Sequence, residues 1–126
     1  MYEKLKADVE FLDGNYEAAA DMYLEGARDG DSVAAFNYGY CLWRGYGRAY
    51  DPKEAKSYFS FARDMEGGES CYNLAMLYMH GEGVPRNYKE ALRYMRISAS
   101  MGCIEAQLYL FGIKLYVLVV YHTLTV

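Results

Sequence analysis

The sequence predicts an all-α fold, an α/α solenoid in which helix pairs stack in chain order, and three observations predict it. The first is internal repetition. A shift of 36 positions lays Phe36 on Tyr72, Asn37 on Asn73, Gly45 on Gly81, Gly47 on Gly83, Ala55 on Ala91 and Tyr58 on Tyr94. A shift of 72, twice that step, lays Asn15 on Asn87, Tyr16 on Tyr88, Ala19 on Ala91 and Gly30 on Gly102. A fixed period in this range marks an array whose units bury their apolar faces only against their neighbours. The second is apolar spacing at helical period, broken by short glycine-containing turns. The third is composition: 126 residues, 53% hydrophobic, with 15 tyrosines, are enough for one domain packed through large flat side chains with polar tips.

Each element follows from local signals. Leu5, Val9 and Leu12 keep helical spacing between Tyr2 and Leu12, and Asp13-Gly14 closes that run. Asn15 is suited to capping the next helix, whose stripe is Tyr16, Ala19, Ala20, Tyr23 and Ala27 and whose stop is Gly30. Asp31 or Ser32 caps a helix carrying Ala35, Tyr38, Gly39 and Leu42. An interior glycine there costs about 1 kcal/mol against alanine unless a partner helix comes close. The loop GYGRAY leads to Asp51-Pro52, an acceptor cap followed by proline at the first helical position, and to the stripe Ala55, Tyr58, Phe59 and Ala62, ending near Gly67-Gly68. The next pair repeats the plan, with Cys71, Leu74, Ala75 and Tyr78, the turn GEGVP, then Tyr88, Ala91, Leu92, Met95 and Ala99. A further copy starts at Ile104-Glu105-Ala106, but Val117 stands where its turn glycine belongs, so that copy is incomplete. Residues 1–112 thus read as the solenoid, with helix pairs at about 2–29, 32–66 and 69–101 and a first helix of a further unit from 104; residues 113–126 read as an apolar, divergent or truncated tail.

That tail, KLYVLVVYHTLTV, is rich in β-branched residues. Ile113 to Tyr121 is too short for a membrane span and is interrupted by Lys114, so no span is predicted. Solenoid ends normally carry polar caps, so this end reads as an array cut short or altered, with self-association through it as a by-product. A net charge of −4 and a pI near 5.1 argue against nucleic acid as a partner. Cys41, Cys71 and Cys103 are odd in number and lack a close pair, and MYEKLKADVE has no apolar signal region, so free thiols in the cytoplasm are expected.

The string carried by Ser70, Leu74, Ala75, Tyr78, Gly81, Gly83 and Val84, followed by Tyr88, Ala91 and Tyr94, resembles the Sel-1-like repeat, a relative of the tetratricopeptide repeat with a longer inter-helix turn. Ala34, Tyr38, Gly39, Gly45 and Gly47, followed by Ala55 and Tyr58, carry an earlier copy. Leu42 and Arg48 depart from it where Tyr78 and Val84 stand in the reference copy. The first hairpin, with only Asp13-Gly14 as its turn, is similar to the shorter tetratricopeptide form. The resemblance implies a right-handed superhelix whose first helices line a concave face, and a non-enzymatic adaptor that assembles other proteins. It also carries an alternative, a cysteine-rich branch with penicillin-binding, hydrolase-like activity that pairs cysteines eight positions apart. Here Cys71 would need a partner at position 63, which is Arg63, so that alternative is disfavoured.

No catalytic, cofactor or metal site is predicted. The G-x-G turns follow helices rather than strands and lack a third glycine, which separates them from phosphate cradles. His80 and His122 fall in no metal-ligand spacing. What remains is the groove. By analogy with tetratricopeptide grooves, its solvent-facing positions are Phe36, Asn37, Tyr40, Trp43 and Arg44, then Tyr72, Asn73, Met76 and His80. An asparagine at one station of both repeats suits the backbone of an extended peptide, which needs a donor and an acceptor together. The competing role for Asn37 and Asn73 is capping or bridging helices, and for Phe36 and Tyr72 inter-repeat core.

Overall fold

The computed structural model describes residues 1–125 and, among them, seven helices and no strand: α1 (Lys4–Leu12), α2 (Tyr16–Arg28), α3 (Ser32–Arg44), α4 (Pro52–Phe61), α5 (Glu69–His80), α6 (Tyr88–Ser100) and α7 (Ile104–Thr125). The extensive packing runs between helices adjacent in sequence, as in a helical-repeat solenoid. A first apolar cluster joins α1 to α5 around Tyr23, Trp43, Phe59, Leu74 and Leu77. A second joins α5 to α7 around Ala75, Met95, Cys103 and Ala106.

Local chemistry sets the helix starts. The Asp31 carboxylate accepts from the Ala34 amide at 2.8 Å, Asp51 from Glu54 at 3.1 Å and Asn87 from Glu90 at 3.1 Å, each satisfying an amide that the first turn leaves free. Asn15 does not act this way. Its side-chain amide donates to Glu10 at 2.8 Å, tying the first turn back onto α1 instead.

The glycine turns hold the repeats in register. Gly47 and Gly83 have φ of 68° and 69°, in the left-handed region that glycine enters at little cost. A Cβ on Gly83 would lie 2.5 Å from the Lys53 amide nitrogen, and one on Gly47 2.4 Å from the Tyr16 carbonyl. Tyr16 and Pro52 are themselves 36 apart, so each turn seats its second glycine on the start of the second helix of the preceding pair. Gly39 lets α4 approach, since a Cβ there would meet the Phe59 ring at 2.9 Å. Buried hydroxyls add joints: Ser70 donates to the Phe59 carbonyl of the preceding unit, and Ser98 to the Gly68 carbonyl within its own unit, both at 2.7 Å.

The structure corrects several sequence expectations. The Leu5, Val9, Leu12 stripe of α1 faces solvent; Ala7, Phe11 and the preceding Tyr2 make the packing contacts. α1 packs chiefly on α2, where Phe11 meets the Tyr16 ring at 5.0 Å and the Tyr23 ring at 6.5 Å. α4 ends at Phe61, well short of Gly67-Gly68, and turns fill the interval. The tail does not break at residue 112: α7 continues unbroken to Thr125, while residue 126 lies outside the described residues. The length argument against a span therefore fails, because the apolar helix is 22 residues long rather than the nine from Ile113 to Tyr121.

Candidate functional site: a groove between alpha 3 and alpha 5

Residues at helical spacing on α3 and α5 face each other across a cavity of about 540 Å³. Tyr40, Trp43 and Arg44 come from α3, Tyr72, Asn73, Met76 and His80 from α5, and Glu82 from the turn after α5. Seven of the nine residues expected from sequence therefore line one space. Phe36 and Asn37 do not. Phe36 is partly buried, its ring 5.8 Å from that of Phe59, which is the core role for this position. Asn37 is half-buried one turn before Tyr40 and lies outside the cavity. Nor are all the lining side chains solvent-facing as expected: Trp43 is 6% exposed and Asn73 7%.

Trp43 anchors one wall. Its ring packs edge-on to Phe59 at 5.9 Å, and the Arg44 guanidinium lies over it, 4.0 Å from the centroid. Its indole N–H donates to the Glu82 carboxylate at 2.9 Å, and the Tyr50 hydroxyl donates to the same oxygen at 2.6 Å. That hydrogen bond to Glu82 raises the Tyr50 pKa above its ordinary value. Glu82 and Tyr50 were missed by sequence reasoning. The partners lie 39 and 32 residues apart, and no local spacing signals a bond of that range.

Asn73 differs from the other buried polar side chains. Ser70 and Ser98 are hydrogen-bonded to backbone carbonyls, whereas the Asn73 amide has no hydrogen-bond partner among the described residues. A primary amide brings two donors and one acceptor, and here they open onto the cavity, so their partner comes from that space.

The remaining candidates are placed elsewhere. Cys41, Cys71 and Cys103 are free and buried, and burial pushes the Cys41 thiol up to about 11 and raises that of Cys71. The Cys71 thiol donates to the Arg63 carbonyl at 3.3 Å. The fold thus brings position 63 against Cys71, but with an arginine there no disulfide forms. Arg48 takes the place of a core valine by another route, donating to the Tyr38 hydroxyl at 3.3 Å, the Gly47 carbonyl at 2.8 Å and the Asp21 carboxylate on α2. A larger hollow of about 760 Å³ over Glu10, Asn15, Glu17 and Asp21 is wide open and lacks such walls. Among the described residues no three His, Cys, Asp or Glu side chains gather as a metal site would need.

Stacked helix pairs with a lined groove between successive first helices define a helical-repeat protein. The Sel1 repeat model matches residues 32–66 and 68–103, more than half of the chain, which belongs to the Sel1 repeat family. Repeats of this family generally serve as protein-interaction scaffolds and are typically non-enzymatic. Solved structures share the fold. A Sel1 repeat protein from Oxalobacter formigenes superposes with a TM-score of 0.78 at 20% identity, over 85% of this chain and 44% of its own. The protective antigen c5321 of uropathogenic Escherichia coli strains, which displays an SLR fold, superposes with a TM-score of 0.72 at 23% identity, over 76% of this chain and 21% of its own. The chain thus spans less than half the length of either. No curated protein sequence matches it.

Proposed function

We propose that this chain is a protein-interaction adaptor that holds an extended peptide segment of its partner in the α3/α5 groove. The observation that carries the reading is Asn73, a residue only 7% exposed whose amide lines the cavity without an internal partner. Its donors and acceptor match the alternating carbonyl and amide of an extended backbone. Tyr40, Trp43, Tyr72 and Met76 supply apolar walls for side chains, and Arg44 and His80 stand exposed at the rim. Affinity in such a site comes from a few desolvated anchors on a scaffold already in shape, and the Trp43, Glu82, Tyr50 network fixes that shape.

Peptides selected from a random library against the chain, then titrated into isotope-labelled protein, test the reading. Amide shifts are expected to concentrate on residues 40–44, 72–80 and 82, with the Asn73 side-chain amide among the most affected. Selected peptides that all map to other surfaces would contradict it.

A further inference from the structure

We infer that α7 is a membrane-inserting helix: from Phe111 to Thr125 it buries itself in the hydrocarbon layer of a lipid bilayer, while its first two turns stay docked on the solenoid. The inference rests on α7 alone and is independent of the groove. Ala106, Tyr109 and Leu110 pack with Met95 and Ala75 in the second apolar cluster, and beyond Leu110 the helix projects free. Its most apolar window has a mean hydropathy of 1.5 and is only 6% buried against the rest of the chain. Phe111, Tyr116, Leu118, Tyr121 and Leu124 are each between 63% and 80% exposed.

The arrangement of the apolar residues identifies the occupant. A partner protein, a second copy of this chain included, covers one side of a helix and is met by a stripe. From Leu115 to Tyr121 seven consecutive positions are apolar, whereas 3.6 residues complete a turn, so α7 is apolar on every side. Lipid covers every side; a single docking partner does not. The cavity of a second copy is no alternative, since it is far smaller than this helix and carries Arg44, Asn73 and His80.

Two of the segment's polar side chains are satisfied within the helix, while His122 and the Tyr116 and Tyr121 hydroxyls take water or headgroup partners. Thr123 donates to the Val120 carbonyl and Thr125 to that of Tyr121, both at 2.8 Å, so neither hydroxyl needs an outside partner. After Glu105 the one Asp, Glu, Lys or Arg is Lys114, a turn from the docked end, where its stem carries the ammonium out to the headgroups. Fifteen residues reach about 22 Å, within a hydrocarbon layer of roughly 30 Å, so insertion leaves the docked turns in place.

Cell-free synthesis of the full chain with phosphatidylcholine vesicles, followed by a carbonate wash and density flotation, tests the inference. The chain is expected to float. Leu118→Asp is expected to lower its vesicle-to-soluble ratio by about 100-fold, while Leu12→Asp on exposed α1 leaves that ratio unchanged. Leu118 is 65% exposed, so the solenoid of the variant keeps its far-UV circular dichroism. A chain that stays at the bottom of the gradient overturns the inference, as does equal flotation of Leu118→Asp. A lipid-free dimer that Leu118→Asp dissociates, without flotation, overturns it in favour of a second copy.

Discussion

At Asn73 and Asn37 the same side chain stands at the same station of two repeats and meets different surroundings. Asn73 has a second repeat across from it and becomes a buried cavity wall; Asn37 lies outside that cavity. The repeat itself was legible residue by residue, but the difference between its copies was not, because it depends on which neighbour each copy faces. The thiols show a second residue-scale effect. An unfolded cysteine ionises near 9, and burial holds Cys41 up to about 11. Between those values the unfolded chain releases a proton that the folded chain keeps, so stability falls as pH rises. Tyr2 and Tyr23 extend the fall, since burial pushes Tyr2 up to about 12 and Tyr23 higher still, the latter also by donating to Asp8 at 2.7 Å. Melting temperature is expected to be insensitive to these groups below pH 9 and to fall steadily from pH 9 to 12; differential scanning fluorimetry across that range checks it, and Cys41→Ala should flatten the first part of the fall.

At the scale of elements, caps and turns were the most legible features because their chemistry is local. Asp31 and Asp51-Pro52 act within a few residues of where they stand, as does the left-handed backbone of the paired glycines, whereas the seat of Gly47 and Gly83 on the preceding helix pair is long-range. The faces of the terminal helices were not legible. α1 has two candidate stripes, and only contact with its neighbour selects Ala7 and Phe11 over Leu5, Val9 and Leu12. α7 reads as a change of sequence character, yet Ile113 to Thr125 contains no proline, and the hydrogen-bonded ladder simply continues. The turns allow a direct test of how units are joined. Gly83→Ala combines a left-handed backbone with overlap on Lys53 and is expected to cost at least ~2 kcal/mol, about 8 °C in melting temperature. Gly14→Ala has a similar φ of 84° and nothing within 4 Å, and is expected to cost about half as much. Equal losses in thermal melts would show that the seat on the preceding helix pair contributes nothing.

On the scale of the whole molecule, repetition of one hairpin yields both a rigid stack and a surface. Each unit is completed by its neighbour, so the groove exists only where one first helix faces the next and a turn such as Gly81–Gly83 closes the side. The core and the groove share residues: Trp43 packs on Phe59, lines the cavity and donates to Glu82. A scaffold built this way is set before its partner arrives, which favours binding by small, well-placed contacts over induced folding. The most direct measurement is calorimetric titration of one selected peptide into wild type, Asn73→Ala and Asn37→Ala, each with its melting temperature recorded. The account predicts about a tenfold loss of affinity for Asn73→Ala at unchanged stability and no loss for Asn37→Ala. Equal affinity for all three proteins, or a loss at Asn37 alone, would contradict it.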